Sequence, residues 1–163
     1  MTVALGTVIM SIGSMIDVMD LTLSAVASLL VVLIYIEIGS PYTWLVWLAT
    51  SLSTALMFFG SAVWVEYLLV FGIYPLLKAL IERLPRWSWL PLKLLFVNAM
   101  SLAILTLCQM VLGIPFLEAD TDVMLIGTFV LINVAFVVYD AFISVMVRLY
   151  LLKWRRLFSG LFK

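Results

Sequence analysis

The chain consists of long apolar runs that are separated by short segments rich in Gly, Pro or charge. The run at 21–36 contains no charged residue and is followed by Glu37, Gly39 and Pro41. A helix needs about 20 apolar residues to cross a bilayer core, and backbone in lipid has to satisfy its own hydrogen bonds. The runs lack the apolar–polar alternation of a membrane β-strand. They predict an all-α fold, an integral membrane helical bundle.

Six apolar stretches predict six transmembrane helices within a single transmembrane domain that spans 1–163. The stretches cover 2–14, 21–36, 42–59, 62–81, 91–112 and 123–152. The first stretch is short for a full crossing, so a bundle of five transmembrane helices is the alternative. The connecting segments are short, and no separate soluble domain is expected.

Composition excludes several classes of function. Hydrophobic residues make up 66% of the chain and charged residues 11%, against roughly 25% charged residues in an average soluble domain. The sequence has no histidine, a formal net charge of zero and one cysteine, Cys108. It contains no metalloprotease, serine-hydrolase or phosphate-binding motif. We therefore predict that the protein is not an enzyme and has no metal site, no cofactor and no nucleic-acid partner.

The positions of lysine and arginine predict the orientation in the membrane. One group surrounds the connector before the fifth stretch, and the other lies at the C-terminal end. The members are Lys78, Arg83, Arg86, Lys93, Arg148, Lys153, Arg155, Arg156 and Lys163. The positive-inside rule places both groups on the cytoplasmic side of the plasma membrane. Six crossings then put both termini in the cytoplasm, whereas five crossings put the N-terminus outside.

The six tryptophans are expected to act mainly as anchors at headgroup level, where amphipathic rings are favoured. In the six-helix arrangement Trp64 lies near the outer interface. The others lie near the inner interface and are Trp44, Trp47, Trp87, Trp89 and Trp154.

Polar residues inside the predicted spans mark interior positions, because polar side chains in lipid are costly unless they face the bundle interior or water. They are Tyr74, Lys78, Asn98, Asn133 and Asp140. Asp140 lies deepest among the charged residues, and two interpretations of it remain open. It is either a structural partner of Lys78 or Arg148, or a relay or coupling site in the inner half of the bundle.

Acidic and aromatic residues gather at the predicted outer helix ends. They are Asp17, Asp20, Trp64, Glu66 and Tyr67. Carboxylates and aromatic rings together suit a cationic or ring-bearing small molecule, so this group is the candidate substrate-binding site. The alternative is a solvated acidic rim, since carboxylates are common at an outer membrane face.

Small residues follow one face of the first predicted helix. They are Ala4, Thr7, Ser11 and Ser14, at helical spacing. Small faces allow close approach of another helix. That helix belongs either to the same bundle or to a partner membrane protein.

The layout resembles the substrate-binding S components of energy-coupling-factor (ECF) vitamin transporters. A short first helix with a small-residue face runs into an outer turn, MIDVMDL at 15–21, within a small bundle of six tight spans. The segments YIEIGSPY at 35–42 and FGIYPLLK at 71–78 are similar to those of a group of S-component-like proteins. The resemblance extends over nearly the whole chain through its layout.

The resemblance implies a specific set of partners. The small face of the first helix would pack on a transmembrane coupling subunit, and two cytoplasmic ATPases would supply energy. Substrate would bind from outside, between the outer helix ends and their loops. The residues nearest to it would be Asp17, Asp20, Trp64, Glu66 and Tyr67.

Three functional hypotheses follow. The first is a small-molecule-binding subunit of a membrane transporter that captures its substrate at the outer face. The alternative is a membrane scaffold that docks partner proteins through its small-residue faces and needs no ligand. The second alternative is an ion-coupled carrier centred on Asp140.

Overall fold

The computed structural model describes residues 1–16, 19–113 and 122–154, and the regular structure within them is helical throughout. The α-helices are α1 (Thr2–Met15), α2 (Asp20–Glu37), α3 (Ser40–Met57), α4 (Val63–Glu66), α5 (Tyr74–Ile81), α6 (Trp89–Leu107) and α7 (Asp122–Leu149). A π-helical turn, Tyr67–Phe71, joins α4 to α5 within one longer helix. The all-α prediction is confirmed, and the helix bounds lie within a few residues of the predicted stretches.

Four helices are long and apolar enough to cross a membrane, which indicates a membrane protein. They are Asp20–Glu37, Val63–Ile81, Arg86–Val111 and Ile126–Lys153. The helix α1, with 14 residues, belongs to a shorter class. The helix α3 has 18 residues but is not among the four, because serine and threonine lower its mean hydropathy.

The helix α3 turns its polar side chains toward the bundle interior and its apolar side chains outward. In α3 the buried residues are Thr43, Thr50, Ser51 and Thr54. The exposed face of the same helix carries a stripe of leucines at 45, 48, 52 and 56. An apolar outer surface is favourable in lipid, and hydroxyl groups inside a bundle let helices approach closely. The burial pattern therefore supports a membrane environment independently of hydropathy.

The helix α1 packs on α2 and α3 through small residues. A Cβ atom at Gly6 would lie 3.0 Å from Thr50 Cγ2, and one at Gly13 would lie 3.4 Å from Leu23 Cβ. Met10 is fully buried between them, with Ser24 Oγ 3.7 Å from its sulfur atom. The glycines permit this close approach, because any larger residue at Gly6 would displace Thr50.

The predicted small-residue face of α1 lies partly inside the bundle and partly on its outer surface. Thr7 is buried, Ser11 and Ser14 are half-buried, and Ala4 is exposed. The three hydroxyl groups donate hydrogen bonds to carbonyl oxygens of α1 itself, at 2.7–2.9 Å. Packing within the chain therefore uses part of this face, and Ala4 lies on its exposed edge.

Side chains from other helices compensate the π-helical turn. A π-turn leaves carbonyl groups out of the regular α-helical pattern. Trp47 Nε1 donates to the Leu68 carbonyl at 3.2 Å, and the Tyr139 hydroxyl lies 3.2 Å from the Phe71 carbonyl oxygen. Trp47 thus packs on the turn instead of serving only as an interfacial anchor.

Candidate functional site

The bundle has two chemically different ends. The helices α1 and α2 run in opposite directions, because Gly6 faces Leu30 whereas Gly13 faces Leu23. One end, here called the acidic end, contains the starts of α2 and α4 and carries Asp20 and Glu66. The other, the basic end, lies around 82–88 and contains every lysine and arginine of the described residues.

A cluster of charged groups joins three helices near the basic end. This inner ion cluster consists of Tyr74, Lys78, Glu82, Lys93, Asp140 and Ser144. Lys78 is only 6% exposed and Lys93 only 8% exposed. Tyr74 and Lys78 come from α5, Lys93 from α6 and Asp140 from α7, so the cluster fixes these helices relative to one another.

Asp140 is the centre of this cluster. Lys93 Nζ donates to Asp140 Oδ2 at 2.9 Å and to Oδ1 at 3.0 Å. Lys78 Nζ forms an ion pair with Oδ1 and donates to the Asp140 carbonyl at 2.9 Å. The Tyr74 hydroxyl donates to Oδ1 at 2.5 Å. Both carboxylate oxygens are therefore occupied by donors of the chain itself.

The remaining donors and charges of the cluster are also matched. Lys78 Nζ donates to Ser144 Oγ at 2.7 Å. Glu82 Oε1 lies 3.2 Å from Lys93 Nζ and 3.5 Å from Lys78 Nζ. Two lysines thus face two carboxylates, and the cluster is neutral overall. Buried ions need such pairing to offset the loss of hydration.

The structure confirms the predicted pairing of Asp140 with Lys78. Arg148, the other predicted partner, forms no ion pair within the described part of the chain. Sequence reasoning missed Lys93 and Glu82 as members. The spacing of Lys78 and Glu82, four residues apart on one helix, was the available signal for Glu82, whereas Lys93 is recruited only by the tertiary fold.

Asn98 and Asn133 form a second polar contact between α6 and α7. Each amide donates to the other, with Nδ2–Oδ1 distances of 3.1 and 3.0 Å. Each also donates to a carbonyl of its own helix at 2.8 Å. Both predicted intramembrane residues are therefore satisfied within the bundle, and their pairing indicates a structural contact.

Exchange of both asparagines should reveal a modest coupling energy. Asn98→Leu and Asn133→Leu each leave the partner amide without its interhelical bonds, and the double variant removes both. From intramembrane hydrogen bonds measured in other proteins we expect a coupling of about 0.6–1.7 kcal/mol. A double-mutant cycle on the free energy of unfolding in mixed micelles measures it. Strict additivity of the two single changes would show that the amides do not cooperate.

The acidic end brings two of the five predicted substrate residues close together. Asp20 begins α2 and Glu66 ends α4, and these two helices contact each other. Glu66 Oε2 is buried and has no hydrogen-bond donor among the described residues. A buried carboxylate oxygen is stabilised by a donor or a cation, so this oxygen is available as an acceptor at the acidic end.

The aromatic members of the predicted site have different surroundings. Tyr67 is 1% exposed and packs with Met10 and Val31 in the core. The Trp64 ring stacks on Phe59 with centroids 5.8 Å apart, and its Nε1 donates to the Phe59 carbonyl at 3.2 Å. Tyr67 therefore belongs to the core, whereas Trp64 is half-buried at the margin of the acidic end. Asp17 lies outside the described residues.

Polar side chains connect the acidic end with the inner ion cluster. Asp20, Ser24 and Ser28 follow one face of α2 at four-residue spacing, and both serines are fully buried. Ser28 Oγ lies 2.7 Å from the Tyr139 hydroxyl. The Tyr139 ring in turn contacts the ring of Tyr74, with centroids 5.6 Å apart. The interior thus contains a polar line along α2 to Ser28 and Tyr139, and a ring contact joins Tyr139 to Tyr74, which donates to Asp140.

A shallow surface depression lies away from both groups. It is open, almost entirely apolar and follows a single helix, α7, whose lining residues are Ile126, Phe129, Val130, Asn133 and Val134. An apolar groove on the lateral surface of a membrane helix suits a lipid chain. The acidic end, in contrast to this depression, has a buried polar atom of the kind that binds a specific ligand.

Among the described residues no group of three or more Asp, Glu, Cys or His side chains is arranged to hold a metal ion. Comparison with models of known protein families, with curated proteins and with solved structures finds no match to this chain. The features of the chain that bear on its function are the acidic end, the inner ion cluster and the apolar exterior. The likeness to ECF S components stays a prediction from the sequence layout.

Proposed function

We propose that the chain is the small-molecule-binding subunit of a membrane transporter and holds a cationic or ring-bearing substrate at its acidic end. The buried Oε2 atom of Glu66, which has no donor among the described residues, carries this proposal, and Asp20 lies on the neighbouring helix at the same end. Two neighbouring carboxylates in an apolar bundle repel each other and lose hydration. A bound cation relieves both costs, and Trp64 at the margin offers an aromatic face.

The proposed topology has six transmembrane helices, with both termini cytoplasmic in the plasma membrane. Six crossings of alternating direction bring both termini to the same side of the membrane. The concentration of lysine and arginine at the basic end places that end inside by the positive-inside rule. The acidic end then faces outward, so the subunit captures its substrate from outside. The helix α1, although short, is included as a crossing because it packs along α2 and α3.

The proposed partners are a transmembrane coupling subunit and its cytoplasmic ATPases, as in the S components that the sequence resembles. Ala4, on the exposed edge of the α1 small-residue face, is available to contact a coupling subunit, which supports the proposed partners. A ligand-free scaffold remains the alternative class. In a scaffold Ser11→Leu would abolish function by blocking helix docking, and changes at Glu66 would have no effect.

An ion-coupled carrier is a second candidate, supported by the polar line that reaches Asp140 from the acidic end. In that case Asp140→Asn would uncouple transport from the ion gradient while substrate binding persisted. The occupied carboxylate of Asp140 favours the binding subunit over the carrier, because a coupling site exchanges its partners during the cycle.

Neutralising Glu66 is expected to weaken substrate binding by about tenfold to a hundredfold. A hydrogen bond to a charged group contributes roughly 1.5–3 kcal/mol, and each 1.4 kcal/mol is about one factor of ten in affinity. The measurement is ligand-induced thermal stabilisation of purified Glu66→Gln and wild-type protein against a panel of cationic and aromatic small molecules. Glu37→Gln, at the opposite end of α2, is the matched control. The proposal would be contradicted if a compound stabilised wild type, Glu66→Gln and Glu37→Gln equally, or if no compound of the panel stabilised wild type.

A further inference from the structure

The connector between α5 and α6 is an ordered turn. Pro85 is extended, with φ −61° and ψ 143°, and a single 3₁₀ turn, Arg86–Ser88, follows it. Trp89 Nε1 donates to the Leu84 carbonyl at 2.7 Å, which closes the turn. The side chains of this connector therefore stand in defined positions at the basic end of the bundle.

The connector presents apolar side chains where the bundle meets the aqueous phase. Trp87 is 95% exposed, and Leu84 and Leu90 are exposed beside it. A fully exposed tryptophan at a helix junction is unfavourable in water, whereas indole rings are favoured at the headgroup level of a membrane. The exposed side of the turn is therefore suited to the membrane interface.

Two arginines of the same connector lack carboxylate partners. Arg83 and Arg86 are exposed, and neither forms an ion pair with any residue in 1–16, 19–113 or 122–154. The nearest acid in sequence, Glu82, is already engaged by Lys78 and Lys93. The connector thus offers two guanidinium groups next to an interfacial indole, and no acid of the inner ion cluster neutralises them.

We propose that this connector binds the headgroup of an anionic phospholipid, with Arg83 and Arg86 on the phosphate and Trp87 at the glycerol level. Guanidinium groups recognise phosphate by paired hydrogen bonds. The exposed leucines and Trp87 favour a lipid over free inorganic phosphate, because they contact the acyl region only in a bilayer. This site is distinct from the acidic end and does not depend on the proposed transport function.

Quenching of Trp87 fluorescence by brominated lipids tests the site. The full-length protein is placed in bilayers that mix phosphatidylglycerol with phosphatidylcholine, and one of the two lipids carries bromine. The signal of Trp87 is the difference between wild type and Trp87→Phe. We expect phosphatidylglycerol to be preferred there by about fivefold per arginine, since each basic residue near an anionic surface contributes about 1 kcal/mol.

Arg83→Gln/Arg86→Gln should reduce the preference at Trp87 to about one. Lys153→Gln changes a basic residue in the π-helical turn Tyr150–Trp154 that follows α7. It is the matched control and should leave the preference within about twofold of wild type. Equal quenching by both lipids in wild type would overturn the proposal. An equal loss in the Lys153→Gln control would also overturn it, because general attraction of the leaflet would then explain the preference. Inorganic phosphate at about 10 mM is then added at constant ionic strength. If it removed the preference for phosphatidylglycerol at Trp87, the arginines would be assigned to free phosphate and the proposal would be overturned.

Discussion

Replacing Asp140 by asparagine is expected to lower the free energy of unfolding by roughly 3–5 kcal/mol. Lys78 and Lys93 are both almost fully buried, and both donate to the carboxylate of Asp140. The variant leaves two buried ammonium groups with only Glu82 as a counter-charge. Breaking one side of a buried ion pair costs more than the pair contributes, because the remaining ions cannot recover their hydration.

Unfolding in mixed micelles with increasing dodecyl sulfate measures the loss. Glu82→Gln is the matched control, and we expect it to cost about 1 kcal/mol or less, since Glu82 is partly exposed and its ion pairs are screened. A fully apolar replacement, Asp140→Leu with Lys78→Met and Lys93→Met, should recover much of the stability. If Asp140→Asn unfolded at the wild-type concentration, the cluster would not be the structural centre described here.

Gly72→Ala should destabilise the protein by about 1–3 kcal/mol, the usual cost of overpacking a closed site. A Cβ atom at Gly72 would overlap the Trp47 ring and would lie 2.9 Å from the Tyr67 carbonyl oxygen. That oxygen also accepts the Gly72 N–H at 2.7 Å, so the backbone has no room to retreat. The indole would have to move, and its hydrogen bond to Leu68 in the π-helical turn would be lost.

Gly127→Ala in α7 is the control for this substitution, because a Cβ atom there meets no other atom within 4 Å. Alanine favours the helix over glycine by up to about 1 kcal/mol, so the control should be neutral or slightly stabilising. Thermal unfolding of the two variants followed by tryptophan fluorescence distinguishes them. A Gly72→Ala protein as stable as Gly127→Ala would show that Trp47 does not pack closely on the turn.

Helices and their approximate ends could be predicted from sequence because the apolar runs and their Gly, Pro and charged boundaries act locally. The pairing of Asp140 with Lys78 was also accessible, since a charge inside a span needs a partner of opposite sign. The part of Lys93 in the cluster could not be predicted, because Lys93 lies close in sequence to the connector, where a position at the membrane interface is equally reasonable. Its burial depends on how α6 docks against α5 and α7, which no local pattern encodes.

The aromatic residues show the same limit. Trp47 lies near a helix start, where an interfacial anchor is the usual expectation, but the π-helical turn draws its indole inward. Tyr67 was predicted to line the substrate site and lies fully buried in the core. The neighbouring Glu66 keeps the oxygen that makes the acidic end a candidate. Neighbouring residues of a helix point in different directions, so one position along the sequence decides which side chain faces a site. A π-helical turn changes these directions for the residues that follow it.

Native mass spectrometry of the protein, gently extracted from its own membrane, tests the central claim most directly. We expect a small molecule to be retained in a one-to-one complex with wild type and with Glu37→Gln, and to be lost from Glu66→Gln. The mass of that molecule identifies the substrate class. Wild-type protein that carries no small molecule, or an adduct that Glu66→Gln retains equally, would contradict a binding site at the acidic end.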